Sequence, residues 1–391
     1  MLNTPFSPWP SFTSEEADAV SRVLLSNKVN YWTGQECRQF EQEFAQWTGT
    51  QHAIAVTNGT VALDLALNAL SIGQGDEVIV TSRTFLASVS SIVNAGATPV
   101  FADIDLDSQN ICAKTIQSVL TPKTKAIICV HLAGWMCDMD PIMALAQQHQ
   151  LWVVEDCAQA HGAYYKGRAA GSIGHIGAWS FCQDKIMTTG GEGGMVTTNN
   201  AELWKIMWSY KDHGKNWDTV YNKQHPSGFR WLHESFGTNW RMMEMQAVIG
   251  RIQLTRMLQW SKKRQENAEK ILEACKQNDI FRVPMPDHQY KHAYYRAYFF
   301  VQSEYLKPDW SRDRVIQEIN NMGVPCYSGS CSEVYLEKAF DNTSFRPKNS
   351  LPHAKQLGED SVMLLVHPTL TDIEIQKTIK AIHQVAQQAG R

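Results

Sequence analysis

The chain has 391 residues, 43% of them hydrophobic, with 36 basic against 39 acidic side chains and a net charge of −3. That length suits two domains with a substantial core, and so even a charge balance gives no support to nucleic-acid or anionic-membrane binding. Nine cysteines with no Cys-x-x-Cys pair and no Cys/His cluster at zinc spacing read as reduced thiols and predict no metal site. Met1 to Glu16 lacks the basic start and apolar core of a signal peptide, and no apolar run reaches membrane-spanning length, so a cytoplasmic protein is expected.

In chain order, apolar residues at Ala17, Val20, Val23 and Leu24 predict a helix over 14–27, and a second is expected over 37–48. Between them Tyr31-Trp32-Thr33-Gly34 is an aromatic turn whose rings either cover the core or border a site. From Ala53 onward strands are expected over 53–56, 77–81, 99–104, 126–132 and 151–154. The helices between them are expected from Thr57-Asn58-Gly59-Thr60 to Leu70, and over 85–95 and 141–149. Strand–helix alternation with near-continuous apolar strands predicts an α/β domain on a mostly parallel sheet. In such sheets ligands sit beyond the carboxyl ends of the strands, where Asn58, Phe85 and Asp156 all fall. Amphipathic helices are expected over 244–256 and 260–276. Beyond Pro284-Met285-Pro286-Asp287 a strand over 294–301 and helices over 312–322 and 372–388 predict a small α+β unit. The domains expected are thus 1–256 and 257–391.

The most informative stretch runs from Leu151 to Thr198. An apolar strand delivers Glu155 and Asp156 to its end, and Lys185 follows in a Ser-Phe-x-x-x-Lys setting before Thr188-Thr189-Gly190-Gly191-Glu192-Gly193-Gly194. Pyridoxal phosphate needs such a pair: a lysine amine for its aldehyde, and a carboxylate that keeps its ring nitrogen protonated. Singly, each feature has a plainer reading. A lysine near a glycine turn is usually a surface residue, Thr57 and Asn58 could be an ordinary helix cap, and Phe85 is a core residue by spacing alone.

Together, Glu155-Asp156-x-Ala158-Gln159-Ala160-His161-Gly162-Ala163, Gly171-Ser172-x-Gly174, Ser180-Phe181-x-x-x-Lys185 and the glycine block resemble the DegT/DnrJ/EryC1/StrS family, over nearly the whole chain. The resemblance implies the fold-type-I pyridoxal-phosphate architecture and an aminotransferase acting on a keto or aldehyde sugar in cell-surface polysaccharide (lipopolysaccharide) biosynthesis, with an amino acid, L-glutamate, as donor. It implies Lys185 and Asp156 as catalytic residues. Gly59, Thr60, Phe85, Asp156, Gln159, Ser180, Lys185 and Asn239 are the implied cofactor contacts, and His161 a structural neighbour. Asn239 lies in Gly237-Thr238-Asn239-Trp240-Arg241-Met242-Met243-Glu244-Met245-Gln246-Ala247, which in relatives reaches the phosphate of the neighbouring subunit, implying a homodimer with shared sites.

Arg83, Lys215, Arg230, Arg241 and His353 are candidate carboxylate contacts, although surface cations are common. Two departures stand out: Cys182-Gln183-Asp184 where relatives often carry Tyr-Pro or His, and the cationic loop from Lys211 to Trp217. With overall similarity, these resemble the variant that aminates C8 of an eight-carbon ulosonic acid, giving 8-amino-3,8-dideoxy-manno-octulosonate. The alternative acceptor is a nucleotide-linked 4-keto or 3-keto hexose. A dehydratase of this family would carry histidine in place of Lys185, and a non-catalytic regulator would tend to lose the lysine or the acid.

Overall fold

Seven apolar segments build one sheet in this computed structural model, which describes residues 5–391; Met1 to Thr4, the start of the stretch read above for a signal peptide, lie outside the described residues. The strands are β1 (His52–Val56), β2 (Glu77–Thr81), β3 (Thr98–Ala102), β4 (Thr124–Val130) and β5 (Trp152–Asp156). After the short β6 (Tyr164–Tyr165) and β7 (Arg168–Ala169) come β8 (Ile176–Ser180) and β9 (Gly194–Thr198). The large sheet has the order β1-β9-β8-β5-β4-β2-β3. Only β9 runs against its neighbours, pairing antiparallel with both β1 and β8. The expected mostly parallel sheet flanked by helices is therefore present.

Alternation along each strand divides the interior. On β1, Ala53 and Ala55 face one core, where Phe40 and Phe44 of the helix Glu36–Thr48 pack, while Ile54 and Val56 face the other. A one-residue slip would exchange alanines for Ile54 and Val56 beneath those rings, so size and not polarity fixes the register here, both faces being apolar. Tyr31 is buried in the first core, which settles its turn as core cover.

The remaining strands are β10 (Phe281–Arg282), β11 (Tyr290–Lys291), β12 (Ala297–Val301), β13 (Cys326–Tyr327) and β14 (Ser361–Leu364). Four of them form a second sheet in the order β10-β12-β14-β13 around a third core, and β11 joins β6 and β7. The two helices expected over 244–256 and 260–276 are one unbroken helix, Glu244–Lys276. Its Ala247 and Met257 belong to the first core, and its Ala268, Ile271, Leu272 and Cys275 to the third. The expected boundary at 256/257 thus falls inside this helix. We propose that 1–256 and 257–391 still describe the two units, with the helix shared between them. All nine cysteines are free, and no helix among the described residues is long and apolar enough to cross a membrane.

Candidate active site

Because β1, β2, β5 and β8 run the same way, their carboxyl ends reach one edge of the sheet, and the separated sequence blocks meet there around a cavity of about 570 Å³. That volume suits a cofactor with its substrate. Gly59, Thr60, Phe85, Asp156, Gln159, Ser180 and Lys185 all line it, as do Cys182 and Asp184.

Asp156 is the last residue of β5 and is 6% exposed. Its Oδ1 accepts the Ala158 N–H at 3.1 Å and its Oδ2 accepts the Ser88 hydroxyl at 2.8 Å. Gln159 spends its side-chain oxygen on the Ala133 N–H at 2.7 Å, which leaves its amide protons to donate. Asn58 does cap the helix Gly59–Ala69, accepting the Val61 N–H at 2.9 Å, so the plainer reading of that block, a helix cap, holds. A Cβ on Gly59 would lie 2.5 Å from the Ser180 Cβ, and one on Gly194 would lie 2.3 Å from the Asn58 carbonyl oxygen. Backbone N–H groups at this helix start are consequently bare and approachable, as a phosphate requires. Phe85, a core residue by spacing, is instead 73% exposed at the cavity.

Lys185 is anchored by its backbone. Its N–H donates to the Cys182 carbonyl at 3.1 Å, and its own carbonyl accepts the Trp9 indole N–H at 2.8 Å. Its ammonium lies 5.1 Å from the centre of the Tyr295 ring and 3.7 Å from Asp184 Oδ1. Asp184 also accepts the Tyr295 hydroxyl and lies 3.8 Å from Arg296. Burial pushes the Asp184 carboxyl up, but Lys185, the Tyr295 hydroxyl and Arg296 outweigh it and hold the group below its ordinary range.

Asn239 does not line this cavity. It is exposed, bridged to Asp212, beside a Trp240 carbonyl that accepts the Thr57 N–H at 3.0 Å. Most of the expected carboxylate contacts are committed elsewhere. Arg83 is fully buried, donating to Gln109 and to Ser361, each at 3.0 Å. His353 bonds the Ile104 carbonyl at 2.7 Å. Asp212 takes both Lys215, at 3.0 Å, and Arg241, at 2.8 Å, and Arg230 is exposed. Lys211, read from the sequence as the start of a cationic loop, is fully buried with its ammonium 3.5 Å from the Tyr31 ring centre. Helix direction decides this, since Lys211 ends the helix Ala201–Lys211 on its buried face.

The neighbouring acid, Glu155, has a different task. It bonds His131 Nε2 at 2.8 Å and accepts the N–H groups of Gly171 at 3.0 Å, Ile173 at 2.8 Å and Gly174 at 2.6 Å. These outweigh its burial and hold its carboxyl below the usual range, and they explain the Gly171-Ser172-x-Gly174 block as a turn wrapped on a buried carboxylate. His131, Glu155 and Cys157 come together as metal ligands might, but the Cys137 N–H also occupies His131 Nδ1 at 3.1 Å, so the histidine and the acid are spent on the turn.

His161 is structural, packed against Trp179 and Phe181 at ring-centre distances of 5.2 and 5.7 Å. Burial, then the charges of Lys185 and Arg264, pull its pKa from 6.5 down to about 3. The unfolded chain binds this proton below pH 6.5 and the folded chain does not until about 3. Between those values His161 should therefore cost stability as pH falls, by about 1.4 kcal/mol per unit. Denaturant unfolding of the natural chain and His161→Gln should diverge with that slope below pH 6.5, and a pH-independent difference would refute it.

These residues fit pyridoxal phosphate. A helix start bared by two glycines, a flat exposed phenyl ring, a buried carboxylate at a strand end and a lysine amine share one cavity. Comparison with known proteins agrees. The chain is 37% identical over 384 residues to GDP-perosamine synthase of Caulobacter vibrioides, covering 96% of both. Its fold superposes on an aminotransferase from Psychrobacter cryohalolentis with a TM-score of 0.97 at 67% identity, covering 98% of this chain and 99% of that one. On DesV of S. venezuelae, solved with a ketimine intermediate, the TM-score is 0.87 at 31% identity, over 98% and 99% of the two chains. Residues 10–383 match the DegT/DnrJ/EryC1/StrS aminotransferase family, and the chain belongs to it as a pyridoxal-phosphate-dependent sugar aminotransferase.

Proposed function

We propose that this aminotransferase moves the amino group of L-glutamate to a keto hexose linked to a nucleotide, in the cytoplasm and for a cell-surface polysaccharide. The observation that carries the choice of acceptor is the commitment of the cations. Arg83 and Lys211 are buried, and Lys215 and Arg241 share Asp212, so these four cations are already engaged and are poorly placed to receive a sugar carboxylate. Full-length similarity to a GDP-perosamine synthase supports the nucleotide link. Nine free thiols support the location.

The roles proposed follow the geometry. Backbone N–H groups at Gly59 and Thr60, with the Ser180 hydroxyl, hold the phosphate, and Phe85 covers one face of the ring. Asp156 keeps the proton on the ring nitrogen through a charge-assisted hydrogen bond, and Gln159 donates its free amide proton to the phenolic oxygen. When bound, pyridoxal phosphate supplies the electron sink for the carbon acid. Lys185, released as a free amine, takes the proton from the donor's α-carbon and on the return stroke delivers one to the carbon that receives nitrogen. Tyr295 and Asp184 flank that amine and fix where it swings. Asn239 is proposed to act in the site of a partner subunit.

Acceptor choice is tested by offering the glutamate-loaded enzyme nucleotide-linked 3-keto and 4-keto hexoses beside an eight-carbon ulosonic acid, with products read by mass spectrometry. Amination of a nucleotide-linked sugar at least about a hundredfold faster is expected, a gap of roughly 2.7 kcal/mol in transition-state binding. Preference for the ulosonic acid, the acceptor expected from the sequence, would overturn this reading.

A further inference from the structure

We propose that Ser88 is a positioning residue for the reaction: its hydroxyl holds one oxygen of Asp156 so that the other faces the cofactor ring, and Thr84 holds Ser88 in turn. The proposal rests on the reading that Asp156 meets the ring nitrogen. Ser88 Oγ lies 2.8 Å from Asp156 Oδ2 and 2.8 Å from Thr84 Oγ1, and the three residues are 1%, 6% and 2% exposed. A carboxylate only accepts, and a serine has one hydroxyl proton. Ser88 must therefore donate to Asp156, which leaves Thr84 as the donor to Ser88. The chain has one direction, Thr84 to Ser88 to Asp156, with no water needed to complete it.

Its consequence is orientational. Asp156 Oδ1 already accepts the Ala158 N–H at 3.1 Å, so the carboxylate is held at both oxygens by groups on different elements, and its plane is fixed before any ligand arrives. Thr84 and Ser88 also bracket Phe85, and the Ser88 N–H donates to the Phe85 carbonyl at 3.2 Å. One turn at the end of β2 thus sets both the ring wall and the donor behind the acid. Thr84 and Ser88 are four apart, the spacing that places two hydroxyls on one side of a helical turn. A hydroxyl donated to a charged acceptor is among the stronger hydrogen bonds, so its loss should be measurable at the cofactor.

The test is a double-mutant cycle on Ser88→Ala and Asp156→Asn, with two readouts. The first is the dissociation constant of pyridoxal phosphate from the apo-protein, followed by fluorescence. The second is the single-turnover rate with glutamate, resolved into maximal rate and half-saturation. Ser88→Ala is expected to weaken cofactor binding and slow the maximal rate by about tenfold each, with glutamate half-saturation unchanged, and Ser88→Thr to restore both. In the Asp156→Asn background Ser88→Ala should add nothing. The same tenfold loss in both backgrounds, or none in either, would overturn the proposal. If Asp156→Asn were itself harmless, the reading of Asp156 would fail, and the cycle shows that separately. Should Ser88→Ala not fold, Ser88→Cys makes the same comparison with a weak donor of similar volume.

Discussion

Lys185→Ala is expected to abolish transamination, by about four orders of magnitude or more, since on the roles proposed for it one substitution removes both the covalent anchor and the proton carrier. The fold should survive. Lys185's structural bonds, to Cys182 and from Trp9, are made by its backbone, whereas its amine has only a 3.7 Å contact with Asp184 and the nearby Tyr295 ring. Circular dichroism should therefore be unchanged, while glutamate no longer bleaches the visible absorbance of the enzyme with bound cofactor. Turnover above a trace in the purified variant would remove Lys185 from the chemistry.

An equally large effect is expected from Asn239, but only across the proposed dimer. Asn239 is exposed and outside the cavity of its own chain, yet the carbonyl of its neighbour Trp240 accepts the Thr57 N–H beside the helix start proposed to hold the phosphate. A two-fold axis near this segment would bring each Asn239 to the other subunit's cofactor. Asn239→Asp, which sets a negative charge against the phosphate, and Lys185→Ala should each give an almost inactive homodimer. Mixed and allowed to exchange subunits, about half the dimers are heterodimers, each with one site holding intact Lys185 from one chain and intact Asn239 from the other. About a quarter of normal activity should return on this symmetry argument. If Asn239 serves its own chain, no mixed dimer has an intact site and nothing returns, provided differently tagged subunits prove that exchange took place.

How much was legible follows from what each signal reports. Strand β2 is legible to the residue because the β-branched run Val78-Ile79-Val80 is bounded by Glu77 and Thr81, and parallel strands explain why Asn58, Phe85 and Asp156 share an edge. The helix Glu244–Lys276 joins the two expected helices through Met257 to Gln259, and Ser261, Arg264 and Asn267 are buried near its middle. The structure shows what they do there. The Arg264 guanidinium lies 4.9 Å from the Trp9 ring centre, and the Asn267 amide reaches the Val366 and His367 carbonyls at 3.4 and 3.2 Å. Arg83 and Lys211 misled because a cation's residue type says nothing of the direction in which it points. Ser88 is not legible in the sequence because a lone serine in a helix start has no pattern, and only its distance from Asp156 points to the role proposed for it.

The unbroken helix has a practical consequence for engineering. At 33 residues it is a rod of about 50 Å, with one end set in the first core and the other in the third. The C-terminal unit is therefore not an interchangeable cassette. A chimera that exchanged it with a relative's at Arg256/Met257 would splice the rod midway, matching one parent's Ala247 face to another's Ala268 to Cys275 face and severing Arg264 from its seat on Trp9. A graft joined after Lys276, in the turn at Gln277 to Asp279, keeps the rod whole but leaves its second half to fit a foreign core. Recombination between relatives should succeed only where the seam residues of that half travel with the unit they hold.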